Sequence, residues 1–227
     1  MKTIKLIHPS RGRPDLADKA AKIWLDNAKN KKNIIEILSL DKDDPELNNY
    51  NRFADNRMTI VNDNQGMVQA TNRAIPHITP NDIVITLYDD FEPPLHWDVL
   101  IEKLLKNHEG HAVFVDCDNS AGIQTIQIAC GKLFLKWGYV LYPKYFSMYS
   151  DNDYTMKAIL EGVAIDAKFA IRFAHKHPLI TGDGEMDETY TRSNDQKHYN
   201  DGQKIFEMRK EMKFQDVELP TVNLQII

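Results

Sequence analysis

Hydrophobic positions along this chain fall into short β-type runs that alternate with stretches of helical spacing. Thr3 to His8 is apolar and β-rich, and it stops at Pro9-Ser10-Arg11-Gly12-Arg13-Pro14, a cluster that cannot continue a strand. From Pro14 the residues Leu16, Ala20, Ile23, Trp24 and Ala28 recur at helical spacing. They predict a helix that opens on Pro and Asp and closes on Lys29, Lys31 and Lys32, as the helix dipole favours. Ile34 to Leu40 reads as a second strand, ending in Asp41-Lys42-Asp43-Asp44-Pro45. Met58 to Val61 reads as a third, followed beyond Gly66 by a helix carrying Met67, Ala70, Thr71, Ala74 and Ile75. Asp82 to Leu87 is almost continuously apolar, the pattern of a strand covered on both faces. It runs into Tyr88-Asp89-Asp90-Phe91-Glu92-Pro93-Pro94 and then a helix with Trp97, Leu100, Ile101, Leu104 and Leu105 on one side.

The second half is patterned differently. Ala112 to Val115 and Thr125 to Cys130 are strand-like, Trp137 to Tyr149 is rich in aromatic residues and reads as a strand, and a short helix starts near Asp151 and ends at Gly162. Lys168 to His177 alternates, so Phe169, Ile171, Phe173, His175 and His177 share one strand face. A final amphipathic helix runs from about His198 to Lys213. Strands separated by helices of this length predict the α/β class, a mainly parallel, Rossmann-like central sheet flanked by helices. No linker or repeat divides the chain, so residues 1–227 read as a single domain.

Composition narrows the class. At 227 residues with 42% apolar and 27% charged residues, the chain can bury a core without disulfides or metal, which excludes a disordered protein or a disulfide mini-scaffold. Cys117 and Cys130 are the two cysteines, without C-x-x-C spacing, so no thiolate zinc site is implied. No run approaches ~20 apolar residues and the N-terminus lacks a signal-type core; a soluble, unprocessed, cytoplasmic protein with no membrane partner is the expectation. The net charge of −5 argues against wrapping nucleic acid by bulk electrostatics. It is unevenly spread, with +6 in residues 1–32 and −11 in the remainder.

Ligands of open parallel sheets bind beyond the carboxyl ends of the strands. Three polar loops sit there: Ser10-Arg11-Gly12-Arg13, Asp41-Lys42-Asp43-Asp44 and Asp89-Asp90-Phe91-Glu92. Guanidinium groups at a helix start suit a phosphate, and paired carboxylates suit a ribose, a base or a hard cation. Together they indicate a nucleotide with a divalent metal, the first half of the chain (about 1–110) forming the nucleotide side and the rest (about 111–227) the acceptor side. Neither G-x-G-x-x-G nor G-x-x-x-x-G-K-[ST] is present, which excludes the common dinucleotide and P-loop solutions. The bland alternative is that Asp89 to Pro94 is a polar turn capping the Trp97 helix.

Leu40-Asp41, Gly66 to Ala74, Leu87 to Trp97, Tyr149-Ser150-Asp151-Asn152-Asp153 and His175-Lys176-His177-Pro178 occur in this order over residues 3–178. In order and spacing the chain resembles glycosyltransferases of GT-A fold, particularly family-2-like and small phage-encoded enzymes. It departs from their Asp-x-Asp site in having Tyr88 where an acid or Asn is common. The resemblance implies transfer of a sugar, a hexose from a nucleotide-sugar donor such as a UDP-sugar, to a hydroxyl acceptor with inversion. The acceptor would be a glycan, a small molecule or a hydroxymethylpyrimidine in phage DNA.

Carried over residue by residue, Pro9, Ser10, Arg11, Arg13 and Asp41 would line the nucleoside and phosphate pocket, with Asp41 accepting from a uracil-like imide. Asn72 and Arg73 would lie beside the donor, with Tyr88 near it and Asp89 facing ribose or sugar. Asp90, with His175 or His177, would hold Mn²⁺ or Mg²⁺, imidazole favouring manganese. Asp151 would be the general base, with Asp153 as competitor; an N-cap is the structural alternative for Asp151, where the helix dipole would lower its pKa. Tyr139, Tyr142, Tyr145, Phe146 and Tyr149 would offer stacking surface, or else core. Gly182 to Glu188 reads as an acidic surface loop, with a donor-ordered lid as the functional alternative. The last helix, with Lys197, Lys204, Arg209, Lys210 and Lys213, reads as a solvated face, with guidance of an anionic acceptor as its alternative. A nucleotidyltransferase of related fold and a non-catalytic nucleotide-sugar binder are the rival functions.

Overall fold

The computed structural model describes residues 2–63, 65–118, 122–176, 188–193 and 195–216. In chain order the elements are β1 (Ile4–Pro9), α1 (Pro14–Asn27), β2 (Ile34–Asp41), β3 (Arg57–Asn62), α2 (Met67–Asn72), β4 (Ile83–Thr86), β5 (Phe91–Glu92), α3 (Trp97–Leu105) and β6 (Ala112–Phe114). They continue with β7 (Ile128–Cys130), α4 (Gly131–Trp137), α5 (Ser150–Leu160), β8 (Ala164–Asp166), β9 (Ala174–His175), α6 (Glu188–Ser193) and α7 (Gln196–Glu211). A seven-stranded sheet runs β3-β2-β1-β4-β7-β6-β8. The first four of these are parallel; β7 is antiparallel to β4 and β6, and β8 is parallel to β6. β5 and β9 pair antiparallel in a second small sheet. The expected α/β architecture, a mostly parallel central sheet flanked by helices, is the observed one.

Apolar runs at strand period cover both faces of the sheet. Ile4, Leu6, Ile83 and Ile85 point into one layer with Trp24, Trp97, Ile101 and Phe173. Ile7, Ile37 and Val84 point into the other with Val68, Phe134 and Tyr154. The first layer is pinned by buried indoles: Trp24 Nε1 donates to the Phe91 carbonyl and Trp97 Nε1 to the Trp24 carbonyl, each at 2.9 Å, with the two rings edge to face at 5.3 Å. This fixes α1, α3 and the segment after β4 against one another.

Several expectations are corrected. α1 presents Ala17, Ala20, Ala21 and Trp24 to the core, while Leu16 is exposed. Lys31 and Lys32 belong to a 3₁₀ turn beyond the helix, whose own last turn carries no basic residue. The stretch from Trp137 to Tyr149 is not a strand: α4 ends at Trp137, and the following segment buries Tyr139, Tyr142 and Tyr145 edge to face, at 5.6 and 6.0 Å between successive rings. Aromatic richness favours strands in general, but here ring packing beneath α5 and α7 decides the conformation. Among the described residues of the alternating run, Ala174–His175 is strand and Arg172 forms an isolated bridge with Asp116; Phe169 lies in an exposed turn, while Ile171, Phe173 and His175 are buried. His177 and Gly182 to Asp187 lie outside the described residues. Arg209 is fully buried, so α7 is not a simple solvated basic face.

Candidate functional site

β1 and β4 are neighbours in the sheet, yet the chain leaves β1 for β2 on one side and reaches β4 on the other. Strand order reverses between them, the switch point at which open α/β sheets hold a ligand crevice beyond the carboxyl ends of the strands. Ser10 follows β1 and Asp89 lies just beyond β4; they meet there, Ser10 Oγ donating to Asp89 Oδ2 at 3.2 Å. The loop after β1 is braced from below. Tyr50 Oη accepts from the Arg13 amide at 3.0 Å and lies 3.3 Å from Ser10 Oγ, and the Gly12 amide donates to Asp44 at 2.9 Å.

Arg11 reaches across to the loop after β2, donating to Asp43 Oδ1 at 2.6 Å and Asp41 Oδ2 at 3.3 Å. Arg73, beyond α2, donates to Asp41 Oδ1 at 3.1 Å and to the Leu40 carbonyl at 3.2 Å. Asp41 is therefore buried between two guanidinium groups, each oxygen keeping a further lone pair. Pro9 ends β1 opposite Ser39. Asn72 turns away from this group: its carbonyl accepts the amides of Val140 and Leu141 at 2.9 and 3.1 Å, and its amide donates to the Leu141 carbonyl at 2.7 Å. Its side chain thus fixes the segment after α4.

Beyond Asp89 the chain enters β5, whose pairing with β9 sets Phe91 opposite His175, rings stacked at 4.0 Å. This brings His175 Nε2 to 3.2 Å from Asp90 Oδ2. Two ligands bound at right angles on one ion with ~2.1 Å bonds stand about 3.0 Å apart, so the pair fits two adjacent positions of a small divalent cation. Among the described residues no third His, Cys, Asp or Glu joins them, and further ligands would have to come from a bound group or water.

Asp151 is the second residue of α5; the N-cap position is Tyr149, in a left-handed conformation (φ 68°). Burial pushes the Asp151 carboxyl above the usual range, only partly offset by the backbone amides of Asn152 and of Asp151 itself. The helix-start argument for a lowered pKa is overturned, because desolvation outweighs the N-terminal amides. Tyr88 lies just beyond β4. Its hydroxyl donates to Gln127 Oε1 at 3.0 Å, and its pKa is raised by burial and further by the charges of Asp151 and Asp90. Asp153 points elsewhere: it is buried against Arg209, which donates from Nε at 2.9 Å and Nη2 at 3.3 Å, and it accepts from Tyr145 at 3.1 Å.

Behind Asp89 lies a set of residues that sequence reading missed. His8, with no exposed surface, bridges Glu36 Oε1 and Asp89 Oδ1, each at 2.7 Å. Arg57 Nε donates to Glu36 at 2.7 Å, and its Nη1 donates to Asp18 at 2.7 Å. Burial alone would lower the His8 pKa, but hydrogen bonds and charge from Asp89 and Glu36 outweigh it and raise the value to about 9. The available signal was Glu36 itself, a lone carboxylate in the otherwise apolar stretch Ile34 to Leu38, which a buried strand tolerates only beside a cation.

No family model and no curated protein matches the sequence. Solved structures match by shape. TarS 1–349 from S. aureus in complex with UDP-GlcNAc aligns with a TM-score of 0.61 at 12% identity, over 85% of this chain and 64% of that one. The mannosyltransferase PcManGT from Pyrobaculum calidifontis, in complex with GDP-Man and Mn²⁺, gives 0.59 at 12% identity over 92% and 75%. This is the GT-A fold. The UDP complex of TarS 1–349 gives 0.58 at 12% identity over 77% of this chain and 60% of that one, so the chain spans about 60% of the TarS 1–349 length. In this sheet β2 and β4 run into the Asp41 and Asp89 loops, while Asp151 lies in α5 and His175 in β9. Among the described residues no helix is long and apolar enough to cross a membrane.

Proposed function

We propose that this protein is a metal-dependent glycosyltransferase that moves a hexosyl group from a nucleoside diphosphate sugar, with uridine as the base, to a hydroxyl acceptor with inversion. The observation that carries this reading is the approach of Ser10 to Asp89 and of His175 to Asp90 at the switch point of a GT-A sheet. The TarS and PcManGT structures were obtained with UDP-GlcNAc and with GDP-Man and Mn²⁺, which supports a nucleotide-sugar donor and a divalent metal.

Each residue then has a chemical task. Asp41, oriented by Arg11 and Arg73, accepts from the imide of the base, and Pro9 with the Ser10 to Arg13 loop closes the nucleoside side. Ser10 and Asp89 face the ribose. Asp90 and His175 would hold the cation, which would supply positive charge against the diphosphate leaving group. The acceptor hydroxyl oxygen forms a bond to the anomeric carbon as the bond from that carbon to the diphosphate oxygen breaks. Asp151 takes the hydroxyl proton; burial raises its pKa above that of a free carboxyl, which makes it a stronger base. Asp153, held by Arg209, supports α5 instead. Product analysis tests the reading with UDP-hexoses and a hydroxyl-acceptor panel that includes glycans and hydroxymethylated DNA. Release of UDP with Mn²⁺ and its loss in Asp151→Asn supports it; release of hexose 1-phosphate instead, or of pyrophosphate when UTP and a hexose 1-phosphate replace the donor, assigns nucleotidyl transfer, and no turnover with intact donor binding assigns a binding protein.

A further inference from the structure

His8 lies beneath the donor side of the crevice and touches no part of its surface, yet it is the strongest hydrogen-bond partner Asp89 has: the 2.7 Å contact from Nε2 is shorter than the 3.2 Å contact from Ser10. A ring nitrogen facing a carboxylate at this distance carries its proton toward that carboxylate, and His8 has such a partner on both nitrogens. Every charged neighbour is accounted for across the packed elements: Glu36 from β2, Asp89 beyond β4, Arg57 from β3 behind Glu36, and Asp18 from α1 behind Arg57. Glu36 is held by Arg57, His8 by Glu36, and Asp89 by His8, so the orientation of Asp89 is set from three strands away.

We propose that His8 is a positioning residue of the donor site, holding the Asp89 carboxylate in the orientation that accepts the ribose hydroxyls of a nucleoside diphosphate. This rests on the donor-site reading above. The amide nitrogen of glutamine reaches the place of His Nε2, and that of asparagine the place of Nδ1. His8→Gln therefore keeps the donor to Asp89, whereas His8→Asn keeps only the donor to Glu36. The experiment is calorimetric titration of wild type and both variants with UDP and with 2′,3′-dideoxy-UDP, each in the presence of Mn²⁺. Wild type and His8→Gln should prefer UDP over the dideoxy analogue by about tenfold or more, the loss expected when a buried acceptor is left without its partner. His8→Asn should bind the two alike. A structural role alone would weaken both ligands by one factor in both variants, and that result overturns the proposal.

Should His8→Asn not fold, the imidazole N–H resonance of wild-type His8, assigned by its absence in His8→Gln, carries the test. It should move on adding UDP and stay in place with the dideoxy analogue; equal response to both overturns the proposal. If wild type binds UDP and discriminates through Asp89 irrespective of His8, only this inference fails. If wild type binds neither ligand, the donor-site reading fails and this inference with it.

Discussion

Replacing Arg209 by Met separates the two aspartates at the start of α5. Arg209 is fully buried, and its guanidinium donates to Asp153 through Nε and Nη2 and to the carbonyls of Phe214 and Gln215 at 3.0 and 2.7 Å, while stacking 3.9 Å over Tyr142. In Arg209→Met the buried Asp153 keeps the Tyr145 hydroxyl, the Gln215 carbonyl loses its donor, and the Phe214 carbonyl keeps Lys157 Nζ at 3.2 Å. Breaking a buried pair by removing one partner costs about 3–5 kcal/mol, and the orphaned Gln215 carbonyl adds roughly 1 kcal/mol. For a chain of this size that lowers Tm by roughly 10 °C or more. Arg209→Met with Asp153→Leu removes both charges and should recover at least half of the loss, because no uncompensated carboxylate is left inside. The assay is urea unfolding followed by circular dichroism, with m values compared and transfer activity measured per folded molecule. A loss below about 1 kcal/mol in the single variant refutes the structural role of the pair. A folded double variant without turnover would make Asp153 the base, contrary to the assignment of Asp151.

Other expectations follow from the same geometry. The folded His8 pKa of about 9 lies above the unfolded value of ~6.5, so its contribution is complete below ~6.5 and is lost as pH rises through 9. The difference corresponds to roughly 3 kcal/mol, and thermal melts should decline over that window in wild type and stay flatter in His8→Gln. Glu36 has a lowered pKa through His8 and Arg57 despite its burial, so its contribution is present above its unfolded value of ~4.5 and fades as pH falls. Melting temperature is thus expected to peak between those limits. Asp151→Asn should lower kcat by about 10²–10⁴-fold with donor affinity unchanged, and wild-type kcat should fall on acidification through the raised Asp151 pKa. Gly66→Ala should destabilise the protein by more than about 1 kcal/mol, because Gly66 has φ +93° and an added Cβ would stand 2.5 Å from the Phe146 ring; an unchanged unfolding midpoint contradicts that.

Elements with strong periodicity and clear punctuation were legible in the sequence. α1, β2, β4 and α3 lie within a residue or two of their apolar patterns, since Pro14, the acidic loops and Pro93-Pro94 leave little freedom at their ends. The polar loops after β1, β2 and β4 were legible as a shared crevice because each follows a buried strand. What could not be read is which polar group faces which. Asp151 and Asp153 are two residues apart in one helix, yet Asp151 accepts from the Asn152 amide and Asp153 is held by Arg209, 56 residues onward in α7. Asn72 and Arg73 are adjacent, but only Arg73 turns to Asp41. β5 and β9 are two residues long, too short for any period to register, and their pairing is what delivers His175 to Asp90. The tyrosines after α4 read as a strand or a platform because composition records that rings are present and not which surface they bury.

The central claim is a donor site in which Asp90 and His175 hold a cation for a nucleoside diphosphate sugar. Calorimetric titration of UDP into wild type and Asp90→Ala, each with Mn²⁺ and with EDTA, tests it most directly. The account predicts binding that needs Mn²⁺ in wild type and is lost or weakened at least tenfold in Asp90→Ala. Binding of UDP with equal affinity in EDTA, or unchanged by Asp90→Ala, would contradict it.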